Sequence, residues 1–388
     1  MPSDKKTFYL FLGLHSLLIG VFPFYVPVYL WQSGLDLFAI SILVAVTGVG
    51  FQVGLLAWDR LRHIVSLNRL FMIAAVLLLL LLLSATQVAH TLTSALWLAL
   101  SYGVYNSFFW TTQRALFVEV MDPNRTGQAY GNFQLFVFAA LQLGILAGGW
   151  LLQSDGFFWL VCFCAVTALA GAFLLTATKP SYPLAMQKTP ALRWQSIVQF
   201  KDAHHSRTMF LVDGCFLFLE SFFWVISLFL LAHESFTTLG VIVIVLAVIF
   251  GGLFFMLKNT IDRLGKRRVF LFAVALYSLS WAIRAIVSDE LSLLMLFVLL
   301  VIVTFATSFF RLALNKRFYD LARESGAHRY LIMKSYYSQS SLIVSFLLIA
   351  LVATVVTDPV ELLTIVYVAA AFAAPVFALY GSRRYRMD

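Results

Sequence analysis

Long apolar stretches separated by short polar segments recur along the whole chain. Runs such as MIAAVLLLLLLLSA at 72–85 lack the alternation of a membrane β-strand, so the apolar stretches are predicted to be helices. A bilayer core of about 30 Å is crossed by about 20 apolar residues in a helix. By that length the sequence holds twelve candidate membrane spans, at residues 7–31, 36–58, 67–87, 93–117, 130–153, 156–177, 207–232, 237–257, 269–288, 291–313, 334–357 and 360–381.

The composition agrees with a polytopic membrane protein. Of the 388 residues, 62% are hydrophobic and only 12% are charged, which lies outside the range of soluble globular chains. The first span follows MPSDKK, is too long for the core of a signal peptide and shows no convincing cleavage site. It is therefore predicted to remain as the first helix.

The basic residues predict the orientation of the chain. All of the 27 Lys and Arg residues except Arg114, Arg284 and Arg311 fall in or beside the termini and the loops after spans 2, 4, 6, 8 and 10. Because Lys and Arg are retained on the cytoplasmic side of short loops, both termini are predicted to be cytoplasmic. The net charge of +9 then reflects topology and contact with anionic lipid, and its scatter makes nucleic acid an unexpected partner. The short outer loops fit a bacterial inner membrane.

The two halves of the chain resemble each other. SFFWTTQRALFVEV at 107–120 aligns with SFFRLALNKRFYDL at 308–321 at an offset of 201, and LAWDRLRHIV aligns with TIDRLGKRRV, where Asp59 matches Asp262 at an offset of 203. Nearly equal offsets indicate the duplication of a six-helix unit. The predicted units are an N-terminal bundle at 1–177, a cytoplasmic linker at 178–206 and a C-terminal bundle at 207–388.

The turn between spans 8 and 9, DRLGKRR at 262–268, resembles the loop signature G-x-x-x-D-R-x-G-R-R of the major facilitator superfamily. Its twin, GLLAWDRLRH at 54–63, resembles it too. Both copies depart from the pattern: Lys258 replaces the first Gly of the second copy, while Trp58 is an extra residue and Arg62 replaces the second Gly of the first copy. The resemblance implies two six-helix bundles, transport of a small molecule by alternating access, a monomer and no cofactor.

The resemblance also implies that these loops latch the cytoplasmic ends of the helices while the protein faces outward. Acids at the inner ends of spans 4 and 10 are the natural partners of the basic residues. The alternative is that the charges only enforce the topology. The predicted cytoplasmic gate comprises Asp59, Arg60, Arg62, Glu119, Asp262, Arg263, Arg267 and Asp320.

The fifth span carries a further resemblance. NRTGQAYG at 124–131 leads into QLGILAGGWL at 142–151, which is similar to the glycine motif G-x-x-x-G-P-x-x-G-G of drug:proton antiporters in the superfamily, without its proline. Gly144, Gly148 and Gly149 match part of it. The resemblance favours export by antiport, and ordinary helix packing is the alternative, because small residues four apart let helices approach closely.

Ionisable residues inside a span are by default functional candidates. Glu220 lies about 12 residues into span 7, roughly 18 Å from its inner end and close to the midplane. Asp213 lies on the same helical face, and His15 in span 1 can exchange protons near neutral pH. Glu220, Asp213 and His15 are the predicted proton-coupling residues; structural hydrogen bonds to neighbouring helices are the alternative.

Further polar and aromatic residues are predicted to line a central substrate cavity. Arg114 could neutralise an anionic substrate or extend toward the interface, whereas Arg284 and Arg311 lie near predicted span ends and are interpreted as anchors. The predicted cavity residues are Asn106, Trp110, Gln113, Arg114, Gln134, Gln142, Trp224, Tyr336, Tyr337 and Gln339.

Several chemistries lack a motif. The three cysteines lie within spans 6 and 7, so neither a disulfide nor a metal site is expected, and there is no phosphate-binding loop or hydrolase motif. The sequence therefore predicts a proton-coupled secondary transporter of a small amphipathic organic compound, with export favoured, and no enzyme. The alternatives are an importer or uniporter of a small organic anion held by Arg114, and a transport-inactive assembly factor or receptor.

Overall fold

The computed structural model describes residues 2–85, 92–120, 126–154, 156–177, 189–261 and 266–381. Side chains are described at 10–85, 93–115, 136–154, 156–174, 189–252 and 267–381. The regular elements in these ranges are all helical. Glu119, Gln134, Asp262 and Arg263, four of the residues predicted above to belong to the gate or the cavity, have side chains outside the described ranges.

The described residues of the first half form seven α-helices. The first membrane span consists of two of them, because a 3-10 turn at Pro23–Tyr25 separates α1 from α2, in agreement with the helix-breaking effect of proline. The helices are α1 (Pro2–Val21), α2 (Val26–Gln32), α3 (Leu37–Leu61), α4 (Leu67–Ala85), α5 (Leu92–Val120), α6 (Thr126–Gln153) and α7 (Phe157–Ala177).

A short linker helix precedes the second half of the chain. The seventh and twelfth spans of the chain, which belong to this half, are irregular. A π-helical turn at Leu219–Phe223 interrupts the seventh span, and a 3-10 turn at Ala374–Leu379 ends the twelfth. The helices are α8 (Trp194–Val198), α9 (Ser206–Phe218), α10 (Trp224–Leu231), α11 (Phe236–Ile261), α12 (Lys266–Ile286), α13 (Leu293–Glu324), α14 (Ala327–Ala353) and α15 (Pro359–Ala373).

The helices pack as two groups. In the first group α1 packs on α6 and α7, while α5 packs on α3 and α4; in the second group α9 packs on α14, and α12 packs on α13 and α15. The groups meet where α3 contacts α14, α6 contacts α11 and α2 contacts α10. Ten helical segments of the described chain are long and apolar enough to cross a membrane, and Phe236–Gly252 is a shorter apolar helix. The predicted polytopic, all-α fold of twelve transmembrane helices is confirmed.

Two helices extend beyond the predicted spans. The tenth span was predicted to end at residue 313 and the eleventh to start at 334, but α13 continues to Glu324 and α14 starts at Ala327. Hydropathy marks where a helix leaves the apolar layer, whereas the helix itself continues through the polar sequence NKRFYDLARE. Arg311 and Lys334 therefore lie within helices, and the interpretation of Arg311 as an anchor near a span end is wrong.

Arg284 is also not an interfacial anchor. Its side chain is buried between the rings of Trp224 and Trp281, with its Cζ atom 4.9 and 4.2 Å from the two ring centroids. Nη2 donates a hydrogen bond to Thr307 Oγ1 over 2.7 Å, and Nη1 donates to Ser280 Oγ over 2.9 Å. The cation is thus held inside the second group of helices by aromatic and hydroxyl groups.

The glycines of the fifth span have a packing role. A Cβ atom on Gly144 would lie 2.0 Å from the carbonyl oxygen of Leu17, and one on Gly148 would lie 2.1 Å from that of Val21. Only glycine allows α6 to approach α1 this closely. These contacts account for the glycines without a role in antiport.

Candidate functional site

Glu220 lies at the helical irregularity of the seventh span. The π-helical turn Leu219–Phe223, which connects α9 to α10, contains it. Tyr277 Oη donates a hydrogen bond to Glu220 Oε1, and Arg311 Nε donates to Oε2 over 2.9 Å. π-helical turns are rare and frequently occur at functional sites. The carboxylate is held by donors from two other helices, α12 and α13.

Asp213 lies two turns before Glu220 and shares its cation. Arg311 Nη1 is 2.5 Å from Asp213 Oδ1, and Lys334 Nζ is 3.0 Å from Oδ2. The Asp213 side chain is fully buried. Arg311 therefore bridges the two acids of the span, and Lys334 is a second cation for Asp213. We call Tyr277, Glu220, Arg311, Asp213 and Lys334 the charge network.

A close contact between α9 and α14 brings Lys334 to Asp213. A Cβ atom on Gly214 would lie 1.9 Å from the carbonyl oxygen of Ser338, so glycine is required at this crossing. Ser338 Oγ donates to the Phe210 carbonyl oxygen over 2.9 Å and fixes the contact. Lys334 lies one helical turn from Ser338 on the same face, which places its ammonium group beside Asp213.

One face of the seventh span is exposed in its middle and buried toward its ends. Next to Glu220 on the helix, Ser221 is exposed and Leu217 is 37% exposed. Phe210 and Leu228, which lie on the same stripe toward the two helix ends, are buried. A stripe that faces lipid would be exposed along its length, so we assign this surface to an enclosed space, which we call the central hollow.

Of the ionised groups in the charge network, Arg311 and Glu220 are the ones most exposed to the central hollow. The Arg311 side chain is 19% exposed and that of Glu220 is 16% exposed, whereas Asp213 is fully buried and Lys334 is 7% exposed. A solute in the hollow would therefore meet Arg311 and Glu220 before the other two ionised groups.

Helix α5 of the first half faces the same region. The rings of Tyr102 and Phe222 lie 6.1 Å apart across the boundary between the two groups of helices. Arg114 is half-buried and lies within electrostatic range of Lys334 in α14. The second half thus supplies the two acids, and the first half contributes a further cation.

The other predicted residues of α5 and α6 lie near this cation or within the first half. Trp110 Nε1 donates to Asn106 Oδ1 over 3.1 Å, one turn before Arg114. Gln113 is buried, and Gln142 is half-buried with an Oε1 atom that has no hydrogen-bond partner among the described residues.

His15 is not brought to the charge network. Its Nε2 atom lies 2.7 Å from Tyr105 Oη, and its ring stacks on Phe109 with centroids 3.6 Å apart. These contacts, and a tilted contact with Phe11, are all within the first half. The geometry is that of a packed histidine in the helix core, which was the alternative interpretation.

Residues predicted for the cavity in α14 have two different surroundings. Tyr337 Oη donates to the Ile197 carbonyl oxygen over 2.5 Å, and the Tyr336 ring lies 5.6 Å from that of Trp194. Both tyrosines therefore contact the linker helix α8. Gln339 is mostly buried, and its Oε1 atom has no hydrogen-bond partner in the part of the chain that is described.

The first loop signature binds the linker. Asp59 Oδ1 is 2.7 Å from Arg62 Nε, and Asp59 Oδ2 accepts a hydrogen bond from the Leu192 amide over 2.9 Å. Arg62 donates to Thr189 Oγ1 and to the carbonyl oxygens of Thr189 and Pro190, over 3.0–3.2 Å. The predicted gate residues Asp59 and Arg62 thus hold the connection between the two halves.

The same loop contacts the second half. His328 Nε2 is 3.8 Å from Asp59 Oδ1, and the His328 ring lies 5.9 Å from that of Trp58. At the opposite end of the bundle, Trp31 Nε1 donates to Glu234 Oε1 over 3.2 Å. The halves therefore touch at both ends of the bundle.

Three of the remaining gate residues have described side chains. Arg60 is exposed, while Arg267 and Asp320 are half-buried. Whether they act as a gate stays a prediction.

We expect loss of the Arg62 side chain to release the linker. In Arg62→Gln, three hydrogen bonds from a charged donor are lost, so cleavage by trypsin after the adjacent Arg193 should accelerate by about tenfold or more. The rate is measured on purified protein by gel densitometry. Arg60→Gln, which alters the exposed neighbour, should leave it unchanged. Equal cleavage rates in Arg62→Gln and the unmodified protein would mean that other contacts hold the linker.

Three members of the charge network were not predicted from the sequence: Tyr277, Arg311 and Lys334. The signal for the two cations was present, because a basic residue within a helix span calls for a partner acid. It was obscured by spans drawn too short at their inner ends. Nothing in the sequence distinguishes Tyr277 from the other tyrosines.

Ten helical segments of the described chain that are long and apolar enough to cross a membrane, packed in two groups with an ion-pair network inside one of them, are typical of a membrane transporter. The family model of the Major Facilitator Superfamily matches residues 8–332. The chain belongs to this superfamily, and the resemblance of its two loops is confirmed. It is therefore a multi-pass membrane protein that transports a small molecule, and it is not an enzyme.

Solved structures of transporters share the fold. The nucleoside transporter NupG has 16% identity and a TM-score of 0.63, over 97% of this chain and 98% of that chain. The human organic anion transporter MFSD10 (TETRAN) has 14% identity and a TM-score of 0.69, over 98% and 100%. A D-xylose-proton symporter has 14% identity and a TM-score of 0.65, over 95% and 96%. At this identity the likeness shows the fold alone. No curated protein matches the chain.

Proposed function

We propose that the protein is a proton-coupled secondary transporter in which Glu220 binds the coupled proton and Arg311 responds to its charge. The observation that carries the proposal is the Arg311–Glu220 pair at 2.9 Å, in the middle of a membrane span and exposed to the central hollow. A buried ion pair is costly to desolvate and is weak support for stability alone, so its position in a transport pathway indicates a role in transport.

The pair can act as a switch because its two members have unequal support. Asp213 keeps Lys334 as a partner if Arg311 moves. Within the described part of the chain, Glu220 has Arg311 as its counter-ion and Tyr277 as its second donor. Protonation of Glu220 would remove the charge that attracts the guanidinium, and Arg311 would then be free to bind a solute or to shift with α13.

Alternating access would expose the pair to each side of the membrane in turn. At the two ends of the hollow, His328 lies 3.8 Å from Asp59 and Trp31 donates to Glu234 over 3.2 Å, and these contacts would open one end at a time. The predicted solute is a small amphipathic organic compound. Export is the direction that the resemblance of the fifth span favours, but the packing role of Gly144 and Gly148 leaves that direction to experiment.

The test uses proteoliposomes that contain the purified protein and a pH-sensitive dye. Membrane-impermeant organic anions, cations and neutral compounds are added one at a time, and proton movement is recorded. At least one compound should move protons across the membrane with the unmodified protein, and the sign of the signal distinguishes symport from antiport. The same compound should move none with Glu220→Gln.

The matched control is Glu361→Gln, which removes an exposed carboxylate at the start of α15. It should behave as the unmodified protein does. Proton movement that persists in Glu220→Gln would overturn the role of Glu220. Failure of every compound, together with unchanged stability of Glu220→Gln and Asp59→Asn, would favour the transport-inactive assembly factor or receptor.

A further inference from the structure

The charges around the central hollow do not balance. The cations Arg311, Lys334 and Arg284 lie within electrostatic range of the two acids Asp213 and Glu220, and Arg114 of the first half lies within range of Lys334. This excess of cations attracts a solute that carries a negative charge. We infer that the transported solute is an amphipathic carboxylate that binds to Arg311 in place of Glu220; the inference rests on the proton-coupled transport proposed above.

The Arg311 guanidinium group has one nitrogen whose hydrogen-bond donors can bind such a ligand. Its Nε and Nη1 atoms donate to Glu220 and Asp213, whereas its Nη2 atom is buried and has no hydrogen-bond partner among the residues described. An unpaired buried donor costs about 1–3 kcal/mol. The guanidinium group presents two parallel N–H bonds to a carboxylate, so a ligand carboxylate would satisfy Nη2 together with the nitrogen that Glu220 vacates.

Apolar residues of α9 precede Glu220 on the surface that faces the hollow. Leu217 is 37% exposed there, and Phe218 is half-buried with its ring 5.3 Å from that of Phe222. A charged group at Arg311 together with this apolar surface fits a carboxylate that carries a hydrocarbon or aromatic body. A small, fully hydrated anion would leave the apolar surface without a partner.

The exchange at Arg311 balances in charge. A proton from water in the hollow binds Glu220 at Oε2, because Tyr277 already donates a hydrogen bond to Oε1. The hydrogen bond from Arg311 Nε to Oε2 breaks, and the guanidinium pairs with the carboxylate of the solute. Asp213 stays ionised because Lys334 remains its partner.

The net charge of the site then depends on how many ligands are bound. In the empty state, ionised Glu220 and Arg311 sum to zero. With both proton and solute bound, protonated Glu220, Arg311 and the carboxylate also sum to zero, whereas either ligand alone leaves a charge of one unit in the membrane interior. Because such a charge is costly, the halves should reorient only when the site is empty or fully loaded. The result is electroneutral cotransport of one proton with one monocarboxylate.

Other groups around Glu220 do not supply an alternative exchangeable acid. Arg114 of the first half adds attraction for the anion, which draws the two halves together around it. Within the described residues, the charged and titratable groups that face Glu220 are Tyr277 and Arg284 from α12 and Arg311 from α13. Asp213 from α9 and Lys334 from α14 pair with each other next to Arg311.

The test measures ligand-induced thermal stabilisation of the full chain in detergent over a series of pH values. The probes are two matched sets: phenylacetate, phenylacetamide and phenethylamine, and hexanoate, hexanamide and hexylamine. A carboxylate, and neither its amide nor its amine, should stabilise the unmodified protein. Its affinity should fall by about tenfold per pH unit in the neutral range, because one proton is taken up with each anion.

Glu220→Gln gives the decisive comparison, since glutamine mimics the protonated acid. It should bind the same carboxylate with an affinity that no longer changes with pH, and Arg114→Gln should weaken binding while keeping the pH dependence. Absence of stabilisation by either carboxylate at any pH, or stabilisation by an amine instead, would overturn the anion inference and leave proton coupling intact. Equal, pH-independent affinity in the unmodified protein and Glu220→Gln would support the anion and overturn the coupling.

Discussion

Replacement of Arg311 by glutamine is expected to abolish transport and to lower the free energy of unfolding by about 3–5 kcal/mol, the usual cost of removing one partner from a buried ion pair. Arg311 bridges Asp213 and Glu220, so its loss leaves Glu220 without its counter-ion and Asp213 with Lys334 alone. Thermal unfolding in detergent measures the stability, and proteoliposome flux measures the transport.

Two further variants separate lost charge from lost packing. Arg311→Lys should recover only part of the stability, because a single ammonium group cannot make the bonds that Nε and Nη1 make to two acids. The double variant Arg311→Gln with Glu220→Gln should be more stable than Arg311→Gln, since it removes the acid that lost its counter-ion. Arg193→Gln, at an exposed position, serves as the control. If the double variant is no more stable than the single one, the pair contributes packing and not charge compensation.

The fold could be predicted closely because lipid leaves a chain few options. Backbone groups in the apolar layer must be satisfied within a helix, so apolar length alone locates the spans. The two loop signatures and the internal repeat then specified the superfamily. The ends of the helices could not be located in this way, because the polar segment after residue 313 continues α13 outside the apolar layer.

The acids of the site could be predicted, but their partners could not. Glu220 and Asp213 are conspicuous because an acid in the middle of an apolar span is costly to bury and is rarely found there without a function. The cations that neutralise them come from α13 and α14, about 90 residues or more further along the chain, and their depth became visible only with the full helix lengths. Which face of a helix meets which neighbour is decided by packing, and sequence periodicity does not specify it.

Tyr336 and Tyr337 illustrate the same limit. Their position in an apolar span made a cavity role reasonable, yet both contact the linker helix α8. Linker and span are far apart in sequence, and the contact depends on how the connection folds back under the bundle. Polarity identifies residues that need a partner, but it does not identify the partner.

The location of the acids in one half has a mechanistic consequence. Among the residues described, both acids of the charge network belong to α9 and the π-helical turn after it, while the first half contributes Arg114. A proton bound at Glu220 would therefore change the charge of one bundle relative to a fixed cation on the other. That change is a direct means of altering the attraction between the halves as they reorient.

Replacement of Glu220 by glutamine is expected to reduce proton-driven accumulation of the transported solute to the level of empty liposomes, while exchange of labelled for unlabelled solute continues. Glutamine does not bind and release a proton in the neutral range, so a proton gradient cannot drive transport through this residue. Its neutral side chain nevertheless resembles the protonated Glu220 of the loaded site. The stability cost should be small, about 1–2 kcal/mol, because Arg311 keeps Asp213 and Tyr277 can still donate to the amide oxygen.

The contrast between exchange and accumulation distinguishes coupling from folding. A misfolded variant would lose both activities, and Glu361→Gln should lose neither. Loss of exchange together with accumulation, in a variant that unfolds at nearly the normal temperature, would show that Glu220 holds the solute and does not carry the proton. Retention of both would place the coupled proton on another group, of which Asp213 is the nearest acid in the network.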